Sequence, residues 1–172
     1  MSDNEFGHRF EELRKTAKAL RLVLLDVDGV MTDGSLWIGP DGEVFKRFDV
    51  KDGIGLKRLI TSGVEVILIT GRISDAVKRR AEELGISEVY QGVEDKGALA
   101  RRLRQEKGLS VSQVCAVGDD LPDLNMFKEA GMRVAVADAV KEVVEQADIV
   151  LENGGGRGAI RELCDWILTA QQ

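Results

Sequence analysis

Six short apolar runs, separated by stretches with helical spacing, constrain this chain more than any other feature. They are Leu22–Leu25, Glu65–Thr70, Glu88–Gln91, Val114–Val117, Met132–Val136 and Ile149–Leu151. Each has the length of a strand buried on both faces. Between them, Ile54–Thr61, Ser74–Leu84, Lys96–Lys107 and a segment near Val140–Gln146 carry apolar residues at helical intervals, and Ala159–Thr169 closes the series. Ser74 is placed to cap its helix and Gly85 to end it, and Pro122 suits a helix start, where a missing N–H costs little. Strands alternating with helices predict an α/β fold: a three-layer, Rossmann-like parallel sheet with right-handed crossovers. One insertion breaks the alternation. Ser35–Ile38 and Glu43–Phe48 flank the turn-forming Gly39-Pro40-Asp41-Gly42, which predicts a β-hairpin after the first core strand. Trp37, Val44, Phe45 and Phe48 give it an apolar face, and a lone hairpin is marginal in water, so that face needs the core or another subunit.

Ligands of such a sheet bind beyond the carboxyl ends of its strands. Asp26, Thr70 and Asp119 all fall there, each at the end of an apolar run or just beyond it. Asp26 and Asp28 are alternate residues, so on extended chain both carboxylates face one side. Gly29 then allows the turn. Two such acids repel unless a cation or a shared proton relieves them, and an all-oxygen pair suits Mg2+.

With 172 residues and 44% hydrophobic content, one domain over residues 1–172 is the expectation. Against 24 Lys and Arg stand 30 Asp and Glu, a net charge of −6, which argues against a nucleic-acid surface. Cys115 and Cys164 lie far apart in apolar surroundings and read as buried thiols rather than a disulfide. No apolar run reaches the ~18 residues a spanning helix needs. The first residues lack the basic and apolar regions of a signal peptide, so the expectation is a cytoplasmic protein without a membrane partner. Asn4–Leu20 reads as an amphipathic helix, with His8 on its surface.

Four stretches together resemble the haloacid dehalogenase superfamily of phosphohydrolases. They are Asp26-Val-Asp28, Thr70-Gly71-Arg72, Lys96, and Gly118-Asp119-Asp120-Leu121-Pro122-Asp123, in the superfamily's order. The resemblance implies that Asp26 is the nucleophile, forming an aspartyl-phosphate, and that Asp28 is the acid/base. To begin as an acid, Asp28 must hold a proton. It further implies Mg2+ held by Asp26, the main-chain carbonyl of Asp28 and Asp119, with Asp120 and Asp123 orienting those ligands. Thr70 and Lys96 become phosphate contacts, and Gly71 admits close backbone approach. Only about 20 residues separate Asp28 from the next helix, so there is no room for the cap domain found in many members.

A longer set resembles one capless branch of the superfamily: Asp26 to Gly34, Phe48 to Gly55, Ile69 to Arg72, Gly118 to Asp123 and Gly155 to Asp165. It implies an acidic eight-carbon sugar phosphate as substrate, within lipopolysaccharide synthesis. A sister group uses nine-carbon sialic-type sugars, and the residues leave that choice open. Arg72 suits a substrate carboxylate. Thr32, Lys51 and Asp52 are further candidate sugar contacts. Relatives also imply a homotetramer in which Arg157, within a glycine-rich segment, reaches a neighbouring site.

Rivals of other kinds are weaker on the residues. A dehalogenase needs no second acid like Asp28. A non-enzymatic phospho-switch keeps no partner acid two residues on, and a structural module needs none of these acids.

Overall fold

The computed structural model describes residues 12–40 and 42–172. His8 and the first eight residues of the expected N-terminal helix lie outside them, as does Asp41 of the hairpin turn. Residues 12–19 are helical (α1). The main sheet is built from β1 (Leu22–Leu25), β4 (Glu65–Ile69), β5 (Glu88–Tyr90), β6 (Val114–Gly118), β7 (Met132–Ala135) and β8 (Ile149–Val150). Its strand order is β5-β4-β1-β6-β7-β8, and every pair is parallel.

Alternation along the strands sorts the core into two halves. Val23 and Leu25 of β1, Val66 and Leu68 of β4, and Cys115 and Val117 of β6 meet α1, α2 (Val50–Thr61), α3 (Asp75–Leu84) and α7 (Ala159–Gln171). Leu22, Leu24, Ile67, Ile69, Val114 and Ala116 point the other way, toward α4 (Lys96–Glu106), α5 (Leu124–Phe127) and α6 (Lys141–Gln146). Both faces are therefore covered, as the near-continuous apolar runs require. Cys115 and Cys164 are free, buried thiols.

Local chemistry sets the element ends. Asp49 caps α2 by accepting from the Lys51 amide at 2.7 Å, and Asp95 caps α4 through the Ala98 amide at 2.9 Å. Gly85 ends α3 in the left-handed region, at φ 77°. Helix α2 begins at Val50, earlier than its apolar spacing suggests, because Gly53 and Gly55 interrupt that spacing. Both glycines are packing devices: a Cβ on Gly53 would overlap the Arg80 guanidinium, and one on Gly55 would lie 3.1 Å from the Arg161 Cα of α7.

The hairpin pairs β2 (Trp37–Gly39) with β3 (Gly42–Phe45) and stays outside the main sheet. Trp37 stacks on Phe45 with ring centroids 5.0 Å apart, yet both are about half exposed, and Leu36 and Ile38 are exposed beside them. Phe48 instead packs on the core.

The loop after β1 is folded tightly on itself. The Val27 carbonyl accepts from the amides of Met31 (2.9 Å) and Thr32 (3.1 Å). The glycine-rich segment before α7 lies against this loop: Gly156 donates to the Val30 carbonyl at 3.0 Å, and Gly155 donates to Asp138 Oδ1 at 2.9 Å. A Cβ on Gly155 would overlap the Gly29 carbonyl. Gly155→Ala is therefore expected to cost about 1–3 kcal/mol of stability, measured by urea unfolding. A parent-like unfolding midpoint would show that the loop has room to yield.

Candidate active site

Strand β1 lies between β4 and β6, with Leu25 beside Leu68 on one side and Val117 on the other. The three chains leave the sheet side by side, which brings Asp26, Thr70 and Asp119 together. They line a cavity of about 340 Å3 with Asp28, Gly71, Arg72, Lys96, Asp120 and Asp123.

Lys96, at the first position of α4, is almost fully buried. Its ammonium lies 2.8 Å from Asp26 Oδ1 and 2.7 Å from Asp123 Oδ1. Burial, the largest single influence, works to lower its pKa, but Asp26 and Asp123 outweigh it and hold the lysine above its ordinary range. Gly97 permits this placement, since a Cβ there would come within 2.8 Å of Asn125.

Asp123 Oδ2 accepts from the amides of Asp119 (2.9 Å) and Asp120 (3.3 Å). Both of its oxygens are thus engaged, and it fixes the loop that carries Asp119. Gly118 is needed beneath it, because a Cβ would overlap the Asp123 side chain.

Asp119 differs. Its Oδ1 is buried and has no hydrogen-bond partner among the described residues. Asp26, Asp119 and Asp123 each bring a carboxylate oxygen within 4.8 Å of the others. With Asp123 occupied, the orphan oxygen of Asp119 and the carboxylate of Asp26 are the pair that fits a hard, oxygen-seeking cation such as Mg2+. Gly29, at φ 91°, leaves the room: a Cβ would overlap the Asp119 carboxylate.

Crowding among these acids has a measurable consequence. Burial, then the charge of Asp123, pushes the Asp26 carboxyl up to about 6. Burial, then the charges of Asp26 and Asp123, pushes Asp119 up to about 8. Both values lie above the ordinary carboxyl value of 3.8, so between that value and about 8 the metal-free folded state holds more protons than the unfolded one. The cluster's contribution to metal-free stability therefore falls as pH rises through that window. Mg2+ must displace those protons, so at a fixed Mg2+ concentration the gain in Tm is expected to be larger at pH 8 than at pH 5. A pH-independent gain would remove these carboxyls as the ion's seat.

Asp28 is partly exposed to the cavity. Its Oδ2 accepts from the Thr70 hydroxyl at 3.4 Å, and its Oδ1 is paired with the Lys46 ammonium from the hairpin. The Thr70 hydroxyl in turn accepts from the Arg72 amide at 3.3 Å.

Two expected sugar contacts are instead part of the scaffold. Thr32 is 2% exposed; its hydroxyl accepts from Gly29 (3.3 Å) and Gly34 (3.2 Å) and pins the loop after β1. Asp52 is also 2% exposed and accepts from the Arg161 amide at 2.7 Å, in the first turn of α7. Lys51 is exposed in the first turn of α2 and lines neither this cavity nor the cleft beside it. Arg157 is two-thirds exposed and stands 4.0 Å from Asp33 of its own chain. Sequence reasoning missed Lys46, which carries no motif signal.

Residues 85–161 match the model of the haloacid dehalogenase-like hydrolases. The chain is 41% identical, over 96% of its length and 88% of the relative's, to the 3-deoxy-D-manno-octulosonate 8-phosphate phosphatase of Escherichia coli. Among solved structures it resembles the enzyme of that name from Yersinia pestis, with TM-score 0.90 and 43% identity, covering 94% of this chain and 87% of that one. It also resembles the Moraxella catarrhalis enzyme solved with magnesium, phosphate and KDO, with TM-score 0.90 and 40% identity, covering 94% and 92%.

Proposed function

The chain belongs to the haloacid dehalogenase-like hydrolases, in the branch that holds the 3-deoxy-D-manno-octulosonate 8-phosphate phosphatases, and on that premise we propose that it hydrolyses this acidic eight-carbon sugar phosphate to the free sugar acid and phosphate, a step toward lipopolysaccharide. One observation carries the reading. Asp26 and Asp28 open on the same cavity as Thr70, Lys96 and Asp119, one oxygen of which has no hydrogen-bond partner among the described residues.

Asp26 is the nucleophile: a carboxylate oxygen bonds to phosphorus as the bond to the sugar oxygen breaks. Asp28 hands its proton to that departing oxygen, then takes one from the water that cleaves the aspartyl-phosphate. Lys96 offsets the charge that Asp26 and the phosphate bring together, and Thr70 and Gly71 bound the phosphate. When bound, Mg2+ supplies further charge neutralisation at the phosphoryl group; Asp26, Asp119 and the main-chain carbonyl of Asp28 would hold it, with Asp120 beside them.

Among the described residues no cap covers the cavity. Beside it a wider cleft, about 580 Å3, runs between the hairpin and the start of α3, lined by Phe45, Lys46, Ile73 and Arg79. That cleft offers space for a long sugar, and Arg72 on the rim offers a fork for its carboxylate. The exposed Leu36, Trp37, Ile38 and Phe45 of the hairpin support a homotetramer in which hairpins bury one another and bring Arg157 to a neighbour's site. Among the described residues no helix is long and apolar enough to cross a membrane. A cytoplasmic location is part of the same proposal.

The test is phosphate release from eight-carbon and nine-carbon keto-acid phosphates and from a neutral six-carbon sugar phosphate, with Mg2+ and with chelator. The eight-carbon acid is expected to give the highest kcat/KM, with turnover lost in chelator. A wide preference for the neutral sugar would overturn the assignment of the substrate.

A further inference from the structure

We infer that Lys46 is a positioning residue for Asp28, fixing which of its two oxygens delivers the proton to the leaving group. The inference rests on the phosphatase reading above. Lys46 directly follows β3, in a hairpin where Trp37, Ile38 and Phe45 are half exposed or more. Its own side chain is only 1% exposed, and its ammonium is paired with Asp28 Oδ1. Burying an ammonium is costly unless it is paired. The pair ties a surface hairpin to the floor of the cavity.

The consequence for Asp28 is directional. An ammonium has donors only, so Oδ1 must accept and cannot carry the proton toward Lys46. The oxygen left to carry and release a proton is Oδ2, which faces the Thr70 hydroxyl at 3.4 Å. Thr70 and Asp28 both line the phosphate cavity, whereas Lys46 lines the wider cleft next to it. The lysine therefore stands at the boundary between the two spaces, and its grip turns the proton-bearing oxygen toward phosphorus. When the P–O bond breaks and the Asp26–phosphorus bond forms, that proton moves to the departing oxygen, leaving Asp28 as a carboxylate held by Lys46.

A leaving group that needs no proton separates this role from a general structural one. An alkyl sugar alkoxide leaves poorly without a proton, whereas a nitrophenolate leaves unaided. The experiment measures kcat/KM, which reports the first step, for a sugar phosphate and for p-nitrophenyl phosphate in the parent, Lys46→Met, Lys46→Arg, Asp28→Asn and the Lys46→Met/Asp28→Asn double variant. In Lys46→Met the sugar-to-aryl ratio is expected to fall on the order of 100-fold. Lys46→Arg should restore part of it, and the double variant should be no worse than Asp28→Asn alone. Equal losses on both substrates, or additive losses in the double variant, would overturn the inference. Should Lys46→Met fail to show a cooperative melt, the ratio in Lys46→Arg decides by the same criterion. A parent that releases phosphate from neither substrate refutes the phosphatase reading itself, so the two failures are distinct.

Discussion

Asp26→Asn protein is expected to fold as the parent does and to lose turnover by on the order of 10^4-fold or more. The amide keeps the shape of the side chain but not the nucleophile, and no other carboxylate takes its place. Asp28 is held by Lys46 and Thr70, and Asp123 is held by Lys96 and two loop amides. Asp119 has a disengaged oxygen, but it is the residue that fits the cation. The substitution also removes one of the negative charges that push Asp119 upward, so the metal-free variant should be no less stable than the parent near pH 8. Intact-protein mass spectrometry under turnover should find the phosphoryl adduct on the parent and none on the variant. Substantial residual turnover, or an adduct on the variant, would place the nucleophile elsewhere.

Lys96→Met has the largest expected effect on stability. The lysine side chain is 6% exposed and bridges Asp26 and Asp123. Removing it leaves three carboxylates within 4.8 Å of one another without the ammonium that bridges two of them. Breaking a buried pair of this kind costs about 3–5 kcal/mol. The cost should be greatest in metal-free protein near pH 8, where Asp26 and Asp119 are most ionised, and smaller near pH 5, where those two take up protons. Mg2+ should recover part of it. Activity should fall on the order of 100-fold or more, as for loss of a charge-stabilising donor. Denaturant unfolding at both pH values, with chelator and with Mg2+, checks each part. Equal unfolding midpoints for variant and parent at pH 8 would mean that the bridge carries little of the fold's stability.

Much of the scaffold was legible in the amino-acid order because its signals are local. Runs such as Leu22–Leu25 and Val114–Val117 announce buried strands, Gly85 ends its helix, and Ser74 stands at the N-cap position although its side chain makes no capping hydrogen bond there. The expected hairpin is present with shorter strands, and the two cysteines are buried and free. The start of α2 was harder to read, since Gly53 and Gly55 dilute the helical spacing in order to let Arg80 and Arg161 approach. That same shift moves Asp52 into a buried helix turn. Thr32 enters only through the resemblance, and what its hydroxyl does, closing the loop on Gly29 and Gly34, carries no local signal.

The sequence alone determined that a parallel sheet would form and that Asp26, Thr70 and Asp119 would gather at one edge of it, because strand periodicity and strand ends depend only on near neighbours. Tertiary structure decided how each carboxylate is used. Segments from 18 residues apart (Lys46 and Asp28) to 27 (Lys96 and Asp123) and beyond set which carboxylate oxygen meets an ammonium, and no local pattern encodes that meeting. It left an oxygen of Asp119 open for a cation, spent both oxygens of Asp123 on Lys96 and the loop, and brought Lys46 out of a surface hairpin to hold Asp28.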